Sequence, residues 1–338
     1  MTKTQRIKAE EMKSVFYGIL VKAGYRADKA ASIADIFTTN TLEGIHTHGV
    51  NRFPRFINNT REGYIKPDAE PSLIHDSGSL EQWDGNLGPG PLNAVFAGDR
   101  AMQLAENYGL GLVTLANTNH WMRGGLYGWQ AARKGYVFIG WTNTIANMPA
   151  WGAKDPHLGN NPFVLAVPYG EDAVVLDFAM SLYSYGKMEA YASEGKMLPY
   201  PGGFDREGAM TDDPVRILES WRTLPVGYWK GSSLSLLLDI LATVLSGGSS
   251  VHEITSRKVE YCVSQVFIAI DIYRLANYTS LKDTVRSIID DLHSSIPVDG
   301  EAQVRYPGEN IKKIREDALK NGIQVSAAIW KEILSLQS

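Results

Sequence analysis

Residues Gly111 to Thr142 read GLVTLANTNHWMRGGLYGWQAARKGYVFIGWT. Gly111 to Ala116 is an apolar run broken by a single threonine, the pattern of a strand buried on both faces. Met122 to Lys134 then predicts a helix, and Tyr136 to Thr142 (YVFIGWT) a second buried strand. Strand, polar turn, helix, strand is the alternation from which an α/β core is built. The pattern extends in both directions. Pro91 to Tyr108 reads as a helix with Pro91 in its first turn, and Phe163 to Pro168 and Ala173 to Phe178 read as strands. Gly195 to Pro225, rich in Gly, Pro and charge, predicts a long connecting loop. Leu234 to Ser246 follows as a buried helix and Val266 to Asp271 as a strand. Leu281 to Ser294 and Asn310 to Asn321 close the chain as amphipathic helices.

Residues 1–65 follow another rhythm. Met12, Val15, Phe16, Ile19 and Leu20 recur at helical spacing, with Gly24 as the stop. Asp28 is expected to cap a second helix carrying Ala30, Ile33, Ile36 and Phe37, which ends at Gly44. A loop with His46 and His48 comes next, then a short helix around Phe53 to Asn59.

The 338 residues are 44% hydrophobic and 21% charged, the balance of an ordinary globular chain. A net charge of -4 argues against nucleic acid or an anionic membrane as the main partner. It still allows an anionic substrate, since a local arginine overrides a weak global field. Cys262 is the only cysteine, which excludes an intrachain disulfide and a thiolate-rich zinc site. Leu234 to Leu245, the most apolar run, contains Asp239 and falls short of the ~20 residues a membrane span needs. Met1 to Lys8 is polar with no apolar region after it, so no secretory leader is expected, and the expected compartment is a reducing cytoplasm.

Generic motifs are silent. There is no G-x-G-x-x-G after a strand, no P-loop, no G-x-S-x-G and no H-E-x-x-H. Individual residues each leave two readings open. His46 and His48 would share a face if they lay on a strand, as metal ligands do, but they fall in a loop without a third ligand nearby. As a single group, His48 is suited to protonating a forming alkoxide. A hydrogen-bonded loop histidine is the commoner case. His120 follows a strand, where α/β folds place ligands, or it closes that strand structurally. Arg52 either clamps a carboxylate from a helix beginning near Val50 or is an exposed helix arginine. Asp177 ends a strand, where it orients an imidazole, binds a ribose hydroxyl, or caps the next helix. Gly227-Tyr228-Trp229-Lys230-Gly231 either holds a phosphate at a helix N-terminus or is a Gly-flanked turn. His75, His157, His252 and His293 are expected at the surface.

Taken in order, several segments resemble the malate/L-lactate dehydrogenase family, which is unrelated to the Rossmann-type lactate dehydrogenases. They are Thr47-His48-Gly49-Val50-Asn51-Arg52, Asn119-His120, Gly159-Asn160-Asn161-Pro162, Leu176-Asp177-Phe178-Ala179-Met180-Ser181, Gly186-Lys187 and Gly227 to Gly231. The resemblance runs from the first helix to Gly322-Ile323. Longer strings at His48 to Ile57, Asn119 to Gly125, Tyr127 to Ala132 and Gly227 to Ser232 narrow it to reductases of sugar-derived 2-oxo acids.

The resemblance implies a mixed α/β, non-Rossmann nicotinamide-binding fold with an N-terminal helical segment, which accounts for the missing fingerprint. It implies NADH (or NADPH) as cofactor, a small anionic sugar-acid substrate, a homodimer, and no metal. His48 stands at the family's proton donor, with Arg52 for the carboxylate and Asp177 or His120 to polarise or orient. Ala173, Val174, Val175, Leu176, Asp177, Phe178 and Ala179 fall where dinucleotide contacts are expected, as do Trp229, Lys230, Gly308, Glu309 and Asn310. Thr47 replaces a usual serine and keeps the hydroxyl, while Asn160 replaces a common threonine. Three parts are expected: 1–80, a helical segment packed with the C-terminal helices; 81–260, the nicotinamide-binding core; and 261–338, completing the substrate domain. The competing readings are a dehydrogenase of another small 2-oxo or 2-hydroxy acid and a non-catalytic ligand sensor on the same scaffold.

Overall fold

In the computed structural model, which describes residues 4–299 and 303–337, the apolar runs pair into one seven-stranded sheet. The chain begins with β1 (Thr4–Ile7), α1 (Ala9–Lys22), α2 (Ala27–Leu42) and α3 (Phe53–Arg61). β2 (Ser72–Asp76), β3 (Leu80–Asp84), α4 (Gly90–Tyr108), β4 (Leu110–Thr118), α5 (Gly124–Arg133) and β5 (Tyr136–Thr142) follow. A two-residue strand β6 (Met148–Pro149) pairs with β7 (Pro156–Leu158) before the hairpin of β8 (Phe163–Tyr169) and β9 (Asp172–Phe178). Next come α6 (Tyr185–Ser193), β10 (Gly203–Phe204), β11 (Met210–Thr211), α7 (Pro214–Ser220), α8 (Trp229–Ser246) and α9 (Val251–Ser256). β12 (Val263–Asp271), α10 (Tyr278–His293), α11 (Ile311–Asn321), β13 (Ile323–Ser326) and α12 (Ala327–Ser335) complete it.

The sheet order is β2-β3-β4-β12-β5-β8-β9, and β3–β4 is its parallel pair. Alternation along each strand sorts side chains onto two faces. Val113, Leu115, Phe267, Ala269, Phe138, Val164, Ala166, Ala173 and Val175 share the face covered by α4 and α5, and are buried. Val266, Trp141 and partly buried Phe163 and Phe178 lie on the other, against Leu238 and Ala242 of α8. β12, from late in the chain, sits at the centre of the sheet between β4 and β5.

A second core joins the two ends of the chain. Met12, Phe16, Phe37, Phe53 and Phe56 pack with Ile323, Val325, Trp330 and Ile333, while β1 pairs antiparallel with β13. Phe16 stacks on Phe53 at 4.0 Å and Phe37 meets Phe53 edge-on at 5.2 Å. Truncating any one of these rings to alanine would cost about 3–5 kcal/mol.

Several expectations need correction. Asp28 lies inside the first turn of α2 and its carboxylate pairs with Arg26, which occupies the cap position. The helix predicted from Met122 begins at Gly124, because Met122 has φ +67°, outside the helical region. The predicted loop 195–225 contains a small hairpin and α7, folded with α6 around Met188, Leu198 and Ile217. The N-terminal helical segment also carries strands, β1 and β2, which are short and mostly exposed and so leave little apolar pattern. The helix expected to be buried at 234–246 is α8, and it is half uncovered: Leu237 is 53% and Val244 69% exposed.

At Gly111 β4 touches α4. A Cβ there would lie 2.0 Å from the Ala101 carbonyl oxygen and 2.7 Å from the Leu104 Cβ. Gly111→Ala therefore forces the helix off the strand. We expect it to destabilise the protein by about 1–3 kcal/mol in thermal or denaturant unfolding, with no direct effect on the site described next.

Candidate active site

Glu43, directly after α2, is a buried carboxylate that accepts hydrogen bonds from Arg123 and, at 3.1 Å, from Arg315 of α11. Glu43 lies just before the 3-10 turn His46–His48, and Arg123 just after His120. The ion cluster thus brings two loops distant in sequence together, and the rings of His48 and His120 lie 5.5 Å apart and 23° from parallel.

Each imidazole is held by its own loop. The Asn40 amide donates to the His48 carbonyl at 3.0 Å, and Thr41 Oγ1 accepts the Val50 N–H at 2.9 Å. Gly49 makes that approach feasible, since a Cβ would lie 2.2 Å from Thr41 Oγ1. His48 Nδ1 lies 3.5 Å from Thr47 Oγ1, and Gly186 at the start of α6 packs on the Thr47 methyl. His120 Nδ1 accepts the Met122 N–H at 2.9 Å, which places the proton of the neutral ring on Nε2. The Asn119 amide donates to the Leu87 and Tyr64 carbonyls at 3.0 and 3.1 Å and anchors the loop.

Arg52 stands at the cap position of α3, one residue before the helix begins and not inside a helix starting near Val50. Its guanidinium lies 3.9 Å from Glu260. It lines a pocket with Arg55, Asn59, Asn119, His120 and Glu260, floored by Phe56, Ile65 and Met122. Burial pushes His48 well below the ordinary histidine value, and the positive fields of His120, Arg52 and Arg123 push the same way, against Glu260. His120 is held low by burial, then by Arg52 and Arg55. Both rings are neutral near pH 7 in the free protein, between fixed positive charges.

Asp177 has a different place. Its Oδ2 accepts the Gly125 N–H at 2.7 Å, so it holds the first turn of α5; its hydrogen bond goes neither to an imidazole nor into the helix that follows it. Surrounding protein pushes its carboxyl up, the Gly125 N–H and Arg123 pull it down, and water at its open surface weakens both.

The remaining expected contact segments converge on β9. The Val175 N–H donates to the Pro307 carbonyl at 3.1 Å, bringing Gly308, Glu309 and Asn310 to the strand. The Val226 N–H donates to the Met180 carbonyl at 2.7 Å, bringing in the turn before Trp229 and Lys230. Ala173 and Val175 point into the core, so their side chains are closed to any ligand, while Leu176 and Asp177 are exposed and Val174, Phe178 and Ala179 half-buried. The Glu309 carboxylate accepts the Tyr306 N–H at 3.1 Å, and its other oxygen lies 3.1 Å from His293 Nε2. His293 is therefore half-buried beside a carboxylate, not a free surface histidine. The N–H groups of Lys230 and Gly231 already donate within their turn, but the Lys230 ammonium is exposed with no ion pair among the described residues. Seven residues of strand span about 20 Å, and an exposed ammonium near one end fits an extended dinucleotide. Among the described residues no group of three His, Cys, Asp or Glu is placed to hold a metal.

Sequence reasoning passed over Glu43, Arg123 and Glu260. Arg123 had a signal, lying just beyond His120, but its buried acceptor is 80 positions away. Glu260 gave none.

An α/β scaffold with two paired imidazoles beside an arginine has the groups to supply a proton and to hold a carboxylate. Residues 7–334 match the profile of the malate/L-lactate dehydrogenase family, and the chain belongs to that family. It is similar to the 2,3-diketo-L-gulonate reductases of Pasteurella multocida and Klebsiella pneumoniae, each 44% identical over 332 residues, 98% of this chain and 100% of theirs. Its structure resembles malate dehydrogenase from Entamoeba histolytica, with a TM-score of 0.93 and 26% identity over 99% of this chain and 97% of that one. Sulfolactate dehydrogenase from Methanocaldococcus jannaschii superposes with a TM-score of 0.89 at 26% identity, covering 98% and 96%.

Glu43→Ala would leave the Arg123 guanidinium buried without its acceptor. We expect a loss of about 3–5 kcal/mol in unfolding free energy, measured by denaturant titration. Turnover should fall as well, because the two histidine loops are no longer tied.

Proposed function

We propose that this protein reduces 2,3-diketo-L-gulonate to 3-dehydro-L-gulonate with NADH or NADPH, with His48 as the proton donor. The observation that carries the reading is the His48–His120 pair beside Arg52, on a chain 44% identical to reductases named for that substrate. Bound nicotinamide supplies the hydride. Trp229, Lys230, Gly308, Glu309, Asn310 and the stretch Ala173 to Ala179, through backbone at Ala173 and Val175, are the proposed contacts that hold it.

The protein's own part is positioning and proton supply. Arg52 binds the substrate carboxylate with two parallel N–H donors. His120 donates from Nε2 to the carbonyl oxygen and polarises it. His48 gives the proton that turns the forming alkoxide into a hydroxyl. Asp177 acts at one remove, by fixing the start of α5 behind His120. An anion on Arg52 cancels one of the charges that hold His48 neutral, so substrate binding itself favours the protonated donor.

A homodimer is proposed through the uncovered face of α8. Leu234, Leu237, Ile240, Leu241 and Val244 are exposed there, and Leu165, Val167 and Leu176 extend the same side of the sheet. The proposed compartment is the cytoplasm, in keeping with a free Cys262. No nucleic-acid partner is proposed. Among the described residues no helix is long and apolar enough to cross a membrane.

The primary test is a steady-state panel of 2-oxo acids with both nicotinamides. Preference for 2,3-diketo-L-gulonate supports the reading, and preference for pyruvate or oxaloacetate removes the substrate assignment. His48→Ala is expected to lower kcat by about 10²–10⁴; near-normal turnover would remove His48 from the chemistry. The pH profile carries a sign. Only protonated His48 donates, so reductive kcat/KM falls as pH rises, with a midpoint below the ordinary histidine value. The midpoint for kcat, which reports the complex, should lie higher. Light scattering should give the mass of two chains, and Leu237→Glu should shift it toward one.

A further inference from the structure

The pocket beside His120 holds more polar groups than a carboxylate and a ketone require. Arg52, Arg55 and Asn59 are three and four residues apart, so they share one face of α3 and its cap. Arg52 has Glu260 as its partner. The side chains of exposed Arg55 and half-buried Asn59 make no hydrogen bond among the described residues, and both line the pocket.

Opposite them stands Glu260, held from behind. Its Oε2 accepts the Ile145 N–H at 3.2 Å, and its neighbour Tyr261 is fixed by the Tyr64 ring at 5.0 Å and by Arg257 over its face at 5.5 Å. Oε1 faces Arg52 at 3.9 Å, too far for a direct hydrogen bond, so that oxygen keeps capacity to accept another donor. Glu260 is only 9% exposed and lines the pocket, so the open side of its carboxylate is the side a ligand donor would reach.

We infer that Arg55, Asn59 and Glu260 form a second polar subsite that reads hydroxyl groups on the carbon chain of a 2-oxo monocarboxylate. This rests on the reductase reading above and names what sets its specificity. A hydroxyl is both donor and acceptor; Glu260 takes its proton side and Asn59 or Arg55 its lone pairs. The charges agree. Two guanidiniums against one carboxylate leave a single positive charge, which one substrate carboxylate neutralises. A dicarboxylate would bring a second negative charge toward Glu260. Sites built to hydrogen-bond a hydroxyl reject analogues that lack it far more strongly than apolar pockets reject an extra group.

The experiment compares kcat/KM for 2-keto-L-gulonate, pyruvate and oxaloacetate in the full-length protein and its Asn59→Ala and Glu260→Gln variants. Glu260→Gln keeps an oxygen for the Ile145 N–H, and thermal denaturation confirms that both variants fold. We expect the wild type to favour 2-keto-L-gulonate over the other two acids. The ratio of 2-keto-L-gulonate to pyruvate should fall about tenfold or more in each variant, and Glu260→Gln should gain on oxaloacetate relative to 2-keto-L-gulonate. If the wild type reduces these acids but the variants change all three rates in proportion, the subsite is wrong and the reductase reading stands. A wild type that reduces no 2-oxo acid, 2,3-diketo-L-gulonate included, overturns that reading and this inference with it.

Discussion

The buried Glu43 carboxylate, shared between Arg123 and Arg315, is the constraint on which the site depends. A lone carboxylate in that position would be costly to desolvate, and two guanidiniums offset the cost only if three elements stay where they are. Those elements are the end of α2, the start of α5 and α11. Because the histidine turns lie just after Glu43 and just before Arg123, the cluster that satisfies one buried charge also sets the spacing of two imidazoles. The aromatic core around Phe16, Phe37 and Phe53 supports it from the N-terminal side.

The same cluster shapes the electrostatics. Burial chiefly holds His48 low, the fields of His120, Arg52 and Arg123 add to it, and Glu260 counters in part. A site of this kind waits for an anion. In the proposed reduction, a carboxylate that neutralises Arg52 makes the His48 donor easier to protonate, which couples substrate binding to proton supply without any moving part.

The sheet is covered unevenly, and that follows from its order. α4 and α5 cover one face out to β9, whereas α8 lies over the central strands of the other and leaves the β8–β9 hairpin open. Apolar residues therefore remain on the outer side of α8 and on the neighbouring strand face. From the sequence alone such a helix reads as core, because hydrophobicity around a helix marks contact but not whether the contact is with the same chain.

Local pattern determined a good deal by itself. Apolar runs set β4, β5 and β9, a 3.6-residue rhythm set α1 and α2, and the residues around His48, Asn119 and Trp229 carry the family likeness. Short exposed strands such as β2, and the excursion holding α6 and α7, were not legible, since their stability comes from neighbours and not from their own pattern. The roles of individual groups were decided only by the tertiary structure. Asp177 stands beside a strand end in the sequence but is spent on Gly125 of α5 in the fold. Glu43, Arg123 and Glu260 are ordinary charges along the chain and become site residues because packing buries them beside one another. A sequence records which groups are available; burial fixes which charges must meet, and so which histidine faces which.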